Sequence, residues 1–316
     1  MFRRWLSSFI KKYKDVILKI AKHFAMIILI ALVAGSIMSV LNGIESSSET
    51  ENSISIYKPT ETIIEGKEVT KEEYNKDEEI IKNFMEYCNN GKIESAYGLI
   101  SDICKQELFP SVDDFKNNYY LNLFKTKKEY NLQSWINENN YHTYRIRFLD
   151  DMLSSGEYDS LDKGQDYITV ISSNEGSKIN LNGFIGNGQI YKETTADAVK
   201  ALAVERFVYV DYIDYVVKIK NLTNSDILLD TGKYLGSIKL VDQNGVKYPS
   251  YKTQIKNLNS KLSSNIIRTL KIRFNKTYSA NLNDDYIEFS DIVTDIEKYE
   301  ADSDYKDRES IQIQLQ

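Results

Sequence analysis

"NGKIESAYGLISDICKQELFP", residues 90–110, opens after a turn, reads as a helix and stops at a proline. Ile93, Ala96, Tyr97 and Ile100 recur at i, i+3, i+4 and i+7, which puts them on one helix face. Upstream, Ile80 and Phe84 share a stripe with Ile81, Met85 and Cys88 beside it, so the spacing predicts a helix from near Asp77. Asn89, Asn90 and Gly91 end that helix, because Asn and Gly tolerate the left-handed backbone of a C-cap. Downstream, Pro110 breaks the pattern. Ser111 is suited to cap a third helix, with Asp113 and Asp114 in its first turn and Phe115, Tyr119 and Leu123 on its buried face.

Past Asn140 the period changes to two. In "YHTYRIRFL", residues 141–149, His142, Tyr144, Ile146 and Phe148 share one face, while Thr143, Arg145 and Arg147 share the other. "DYITVISS" and "SKINLNGFIG" form a hairpin around Asn174-Glu175-Gly176. Helices followed by an antiparallel sheet make an α+β domain over residues 77–191. Residues 192–203 read as a short helical connector. After it come strands: "VERFVYVDYIDYVVKIKN" as a hairpin, "GSIKLVDQNGVKYPSY" turning at Asn244-Gly245, and "NIIRTLKIRF" with Ile266, Leu270, Ile272 and Phe274 on one face. "DYIEFSDIV" and "SIQIQLQ" complete an all-β sandwich over 204–316.

The N-terminal part has another character. "FAMIILIALVAGSIMSVLNGI", residues 24–44, carries no charge, and as a helix it would span ~31 Å, about the thickness of a bilayer core. Arg3, Arg4, Lys11, Lys12, Lys14, Lys19 and Lys22 precede it, and Glu45, Glu49 and Glu51 follow. The excess of cations on one side predicts a cytoplasmic segment 1–23, a single transmembrane helix 24–44 and an extracytoplasmic remainder. Residues 45–76, rich in Ser, Thr and Glu, read as a solvated stalk. The net charge is −6, and the body beyond the basic segment is more acidic still, which argues against nucleic acid as a partner.

The helix followed by "GKIESAYGLIS", then "LFPSVDDF", then curved strands, resembles the cone-shaped domains of the nuclear transport factor 2-like superfamily. Its membrane-anchored examples include the TcpC-type conjugation proteins of Gram-positive bacteria, and that resemblance implies docking rather than catalysis and association through cone faces. The string "YVVKIKNLTNSDILLD", then "VDQNGVKY", then "RTLKIRF", resembles immunoglobulin-like modules of extracytoplasmic proteins of low-GC Gram-positive bacteria. The fold expected is an α+β cone, helices on a curved antiparallel sheet, followed by an all-β immunoglobulin-like sandwich. One N-terminal transmembrane helix precedes them.

Chemistry-bearing residues are few. Cys88 and Cys104 are the only cysteines; at helical rise a disulfide between them requires the chain to double back after Ser101, so both are read as buried thiols in preference to a bridge. Two cysteines without clustered histidines make no metal site, and nothing points to a cofactor. His142 is the one histidine beyond the apolar run, and with Tyr144 and Trp135 it could line the mouth of a cone. Enzymes of the resembled superfamily, steroid isomerases and small dehydratases, place such groups inside. Asp150 and Asp151 face opposite ways on a strand and cannot both enter. Asp302, Asp304 and Asp307 lack the Gly and Glu of a calcium loop and read as a solvated acidic segment. Gly183, Gly186 and Gly188 read as turn glycines and not a phosphate cradle. The expectation is a non-enzymatic, single-pass cell-membrane protein that docks a protein or envelope component, with self-association as a further mode. Two alternatives stand: a small-molecule or isomerase-like cone centred on His142, and an envelope sensor signalling through the basic segment.

Overall fold

In the computed structural model, residues 65–66, 68–138, 141–150, 164–173, 176–251, 260–279, 283–302 and 304–316 are described. All of them belong to one compact unit. The expected segments 1–23 and 24–44 lie outside the described residues. Among the described residues, no helix is long and apolar enough to cross a membrane.

The expected stalk, 45–76, overlaps regular structure at its C-terminal end. Strand β1, Glu65–Gly66, pairs in parallel with the strand Lys128–Glu138, β2. Helix α1 then runs Lys71–Asn89. Its start is set by a capping box: Thr70 Oγ1 accepts from Glu73 N at 3.2 Å, and the Glu73 carboxylate accepts from Thr70 N at 3.0 Å.

The quoted stretch divides into two helices, α2 at Ile93–Leu99 and α3 at Asp102–Leu108. The break falls at Ile100, which bridges in parallel to Ile179, while Ser101 N donates to Ile179 O at 2.9 Å. Ser101 Oγ caps α3 by accepting from Cys104 N at 3.2 Å, and it also bonds the buried Asn180 side chain. A sheet contact therefore takes over where the helical face would have continued. Helix α4, Val112–Phe115, opens with a second capping box, Ser111 with Asp114, and leads through a π-turn at Lys116–Tyr120 into α5, Leu121–Leu123. Phe115 and Tyr119 are buried as expected, whereas Leu123 is only half-buried.

These helices cover a five-stranded sheet ordered β1-β2-β3-β4-β5. Its strands are β2 (Lys128–Glu138), β3 (Tyr141–Asp150), β4 (Gln165–Ser173) and β5 (Gly176–Asn180). The inward face of β3 is as the alternation predicts, with Tyr144, Ile146 and Phe148 fully buried. The space between helices and sheet is filled: Phe84, Phe109, Phe115, Tyr119 and Phe148 form one cluster, with Phe115 and Tyr119 stacked at 5.7 Å.

The chain leaves this sheet at a tight turn. Phe184 N donates to Leu181 O at 3.1 Å, and Asn182 and Gly183 both take positive φ, 55° and 68°. Gly183 is thus a turn glycine, but Gly186 and Gly188 lie within β6, Phe184–Thr195. Residues 192–203 are not a helical connector. They complete β6 and begin β7 (Val199–Tyr209), with Lys192 opposite Ala203 and Thr194 opposite Ala201. The alanines favour a helix in isolation, but Val199, Ala201 and Ala203 alternate into the core, and burial overrides the weak intrinsic preference.

Strands β8 (Ile213–Asn221) and β13 (Ile267–Phe274) complete a four-stranded sheet, β13-β8-β7-β6. A second four-stranded sheet, β11-β10-β14-β15, is built from β10 (Ile238–Asp242), β11 (Lys247–Pro249), β14 (Asp284–Ile292) and β15 (Glu309–Gln314). The short pair β9 (Ile227–Leu228) and β12 (Lys261–Leu262) and the helix α6 (Ile296–Ala301) lie at the margins. Val217, Ile219 and Ile272 from one sheet and Leu240, Ile287 and Ile313 from the other share one buried cluster. Asn244-Gly245 makes the expected turn between β10 and β11, with Gly245 at φ 77°. Ile266 departs from its expected place, because it precedes the strand and is half exposed. The described chain is mostly antiparallel sheet, with helices α1 to α5 gathered over the five-stranded one.

Candidate functional site

Of the three residues expected at a cone mouth, two meet and one does not. His142 Nδ1 lies 2.5 Å from Asp77 Oδ2, and Tyr144 Oη donates to the same oxygen at 2.7 Å. Asp77 comes from the first half of α1, and His142 and Tyr144 are alternate residues of β3, so both point at the helix. All three are buried. Trp135 faces away from them. It occupies a bulge between Ser134 and Ile136, and its ring packs on Tyr167 at 5.3 Å and under the Arg145 guanidinium at 5.4 Å. Arg145 and Tyr167 are cross-strand neighbours on the other face from Tyr144 and Ile168. Alternation from Ser134 puts Trp135 on that outer face, and the bulge moves the next residue, Ile136, to the same side, opposite Thr143.

The electrostatics follow from this geometry. The hydrogen bond to Asp77 raises the His142 pKa above its usual value; burial opposes the rise, and the charges of Asp77 and Glu73 reinforce it. Burial drives the Tyr144 hydroxyl far up, and Asp77 adds to the effect. Tyr144 is therefore a donor rather than a base. Tyr74 packs edge-on to Tyr144, with ring centroids 5.9 Å apart, and covers the cluster. The arrangement ties the start of α1 to the sheet.

A second buried carboxylate, Asp166 on β4, holds the turn that leads out of the sheet. Its Oδ2 accepts from Tyr119 Oη at 2.8 Å and from Asn182 N at 3.1 Å, and its Oδ1 accepts from Tyr167 N at 2.7 Å. Burial pushes its pKa up to about 6, against the pull of those donors.

The third constellation joins α3 to the sheet of β7, β8 and β13. Glu107 accepts from Tyr209 Oη at 2.7 Å and pairs with Lys271. Asp214 receives Arg273 through two bonds of 2.8 Å each, and the Arg273 guanidinium lies 3.6 Å from the centroid of the Tyr212 ring. Tyr212 stacks on Tyr209 at 4.1 Å. These bonds close a circuit from helix to sheet.

Asp77, Asp166, Glu107 and Asp214 were not distinguishable as functional in the sequence. Asp77 reads there as a helix-start acid, and its partner His142 lies 65 positions away. Cys88 and Cys104 are buried free thiols. Burial raises both, Cys104 to about 12, so neither forms a thiolate readily near neutral pH. Asp302, Asp304 and Asp307 are exposed. Among the described residues, no group of three or more metal-ligating side chains is gathered.

No protein-family model matches the chain, and no curated protein matches it. A solved structure of a conserved hypothetical protein from Bacillus anthracis aligns with 41% of this chain and 96% of its own, at 12% identity and a TM-score of 0.25.

Proposed function

We propose that this chain is a non-catalytic, membrane-anchored extracytoplasmic scaffold that docks a protein or a cell-envelope component. In this reading the helix-covered sheet is a nuclear transport factor 2-like cone and the paired sheets are an immunoglobulin-like sandwich. The apolar run 24–44 anchors them, and a conjugation or secretion apparatus is the specific setting. The supporting observation is the filled interior of the helical layer. Phe84, Phe109, Phe115 and Phe148 occupy the space where a cone enzyme would hold substrate. His142, the residue that an enzymatic reading would need, is buried with its Nδ1 on Asp77. A catalytic base needs a proton of the substrate within hydrogen-bond reach. Here the polar groups are directed at one another.

The test is chemical cross-linking on intact host cells expressing the full-length protein, followed by its purification. Recovery of defined membrane or envelope proteins cross-linked to residues 68–316 is the expected result. Recovery of the protein without partners, under conditions that capture a known surface complex, would count against docking.

A further inference from the structure

A hollow of about 240 Å³ opens between the loop after β9 and the segment that leads into β15, lined by Lys233, Tyr234, Asp304, Tyr305, Lys306 and Arg308. Its walls are held from beneath. Arg308 Nε donates to Asp291 Oδ1 at 2.8 Å, and the Asp291 side chain is only 4% exposed. Thr231 N donates to the other oxygen of that carboxylate at 3.2 Å, and Ser237 Oγ donates to Asp230 at 2.6 Å, so both ends of the loop are tied down. The Tyr299 ring has Lys233 Nζ at 4.7 Å and the Arg308 guanidinium at 4.9 Å from its centroid. Arg308 also lies 5.1 Å from the Tyr305 centroid. On the rim, Tyr234 and Leu235 are 61% and 67% exposed.

The lining combines three kinds of group. Arg308 is a cation of fixed position, flanked by Lys233 and Lys306, neither of which pairs with a carboxylate among the described residues. Asp304 offers acceptor oxygens on the same wall. Tyrosine rings offer flat apolar faces with a polar tip. Cations select an acid group through charge-assisted bonds, a carboxylate accepts from hydroxyls, and a ring face receives C–H edges. The volume lies below the roughly 300–1,000 Å³ of drug-sized pockets and suits one sugar ring.

We infer that this hollow binds an acidic saccharide unit, one ring bearing a single carboxylate or phosphate. Such a unit comes from an anionic envelope polymer or from a free sugar acid, and only the polymer source rests on the extracytoplasmic reading above.

The experiment is saturation-transfer NMR on the full-length protein in detergent, with galacturonate, glucose 6-phosphate and neutral galactose as probes. Transfer to both acidic sugars, with binding about tenfold weaker or worse for galactose, is expected. Lys233→Ala combined with Lys306→Ala removes two exposed cations and leaves the fold intact. It should weaken both acidic probes about tenfold or more at an unchanged unfolding temperature. Displacement of galacturonate by polygalacturonate at a much lower uronate concentration assigns the polymer source, and equal potency assigns the free sugar acid. No transfer to any probe, equal binding of galactose, or full binding by the double variant overturns the inference. If the double variant still captures its cross-linked envelope partner while no saccharide binds to either protein, the scaffold reading stands and the hollow has no such role.

Discussion

Asp77 Oδ2 accepts from two side chains brought from another element, and that single atom satisfies the polar tips of the buried His142 and Tyr144. An Asp77→Asn change keeps the shape but weakens both bonds, and should cost about 1–3 kcal/mol in denaturant unfolding. The His142 pKa is raised in the folded state, so its contribution is fully present below the unfolded value of about 6.5 and is lost as pH rises through the folded value. His142→Gln should flatten the pH dependence of the unfolding temperature above that point. Asp166 has the opposite charge and the same trend. Its folded pKa of about 6 exceeds the ordinary 3.8, so the folded state holds the extra proton between those values and stability falls as pH rises across that window. Asp166→Asn removes the titration but turns an NH₂ group toward donors. The variant should be less stable at every pH and should lose the pH 4–6 slope, as followed by circular dichroism melts.

Capping residues and turn residues explain most of the element boundaries, including two that differ from expectation. The capping box at Thr70 and Glu73 extends α1 six residues upstream of Asp77, and the box is visible in "TKEE" once it is sought. Strand β2 is harder to see. Its residues Leu132 and Ser134 face the helices, but Ser134 is polar, and the bulge at Trp135 breaks the register with β3 and sends Ile136 to the other face. The turn at Asn182-Gly183 decides where one sheet ends and the next begins. Gly183 sits at φ 68°, and an added Cβ would meet Val210 Cβ at 3.7 Å, so the contact is tolerable and the backbone is the obstacle. Gly183→Ala should cost about 1–2 kcal/mol, whereas Gly98→Ala, in α2 with open space around an added Cβ and no positive φ, should not destabilise and serves as the control. Paired chemical-denaturation curves check this.

The helix-covered sheet and the paired sheets are joined by polar contacts and by a shared apolar surface. Phe184 and Tyr209, from strands of the paired sheets, belong to the helical layer's core. Glu107, Tyr209, Lys271, Asp214 and Arg273 link α3 to that same sheet. Breaking a partly buried pair leaves a charge uncompensated, so the two parts should unfold together. Calorimetry is expected to give one transition, and a double-mutant cycle of Glu107→Gln with Tyr209→Phe should give a coupling of about 0.5–2 kcal/mol. Two separated transitions, or additive changes, would mean that the parts are energetically independent. Much of this architecture is local and therefore legible in the linear chain. The period of 3.6 over 80–100, the period of two over 142–148, and the Asn-Gly turn at 244–245 all depend on neighbours a few positions apart. The carboxylate partnerships are not local. Asp77 meets His142, Glu107 meets Lys271 and Asp214 meets Arg273 because the chain folds back, and each carboxylate in isolation looks like any solvated acid. The same holds for residues 192–203, whose composition favours a helix until a neighbouring strand offers a buried face. Composition and periodicity specify the elements, while burial and long-range pairing settle which side chains become partners, because desolvation acts only once the chain has closed around them.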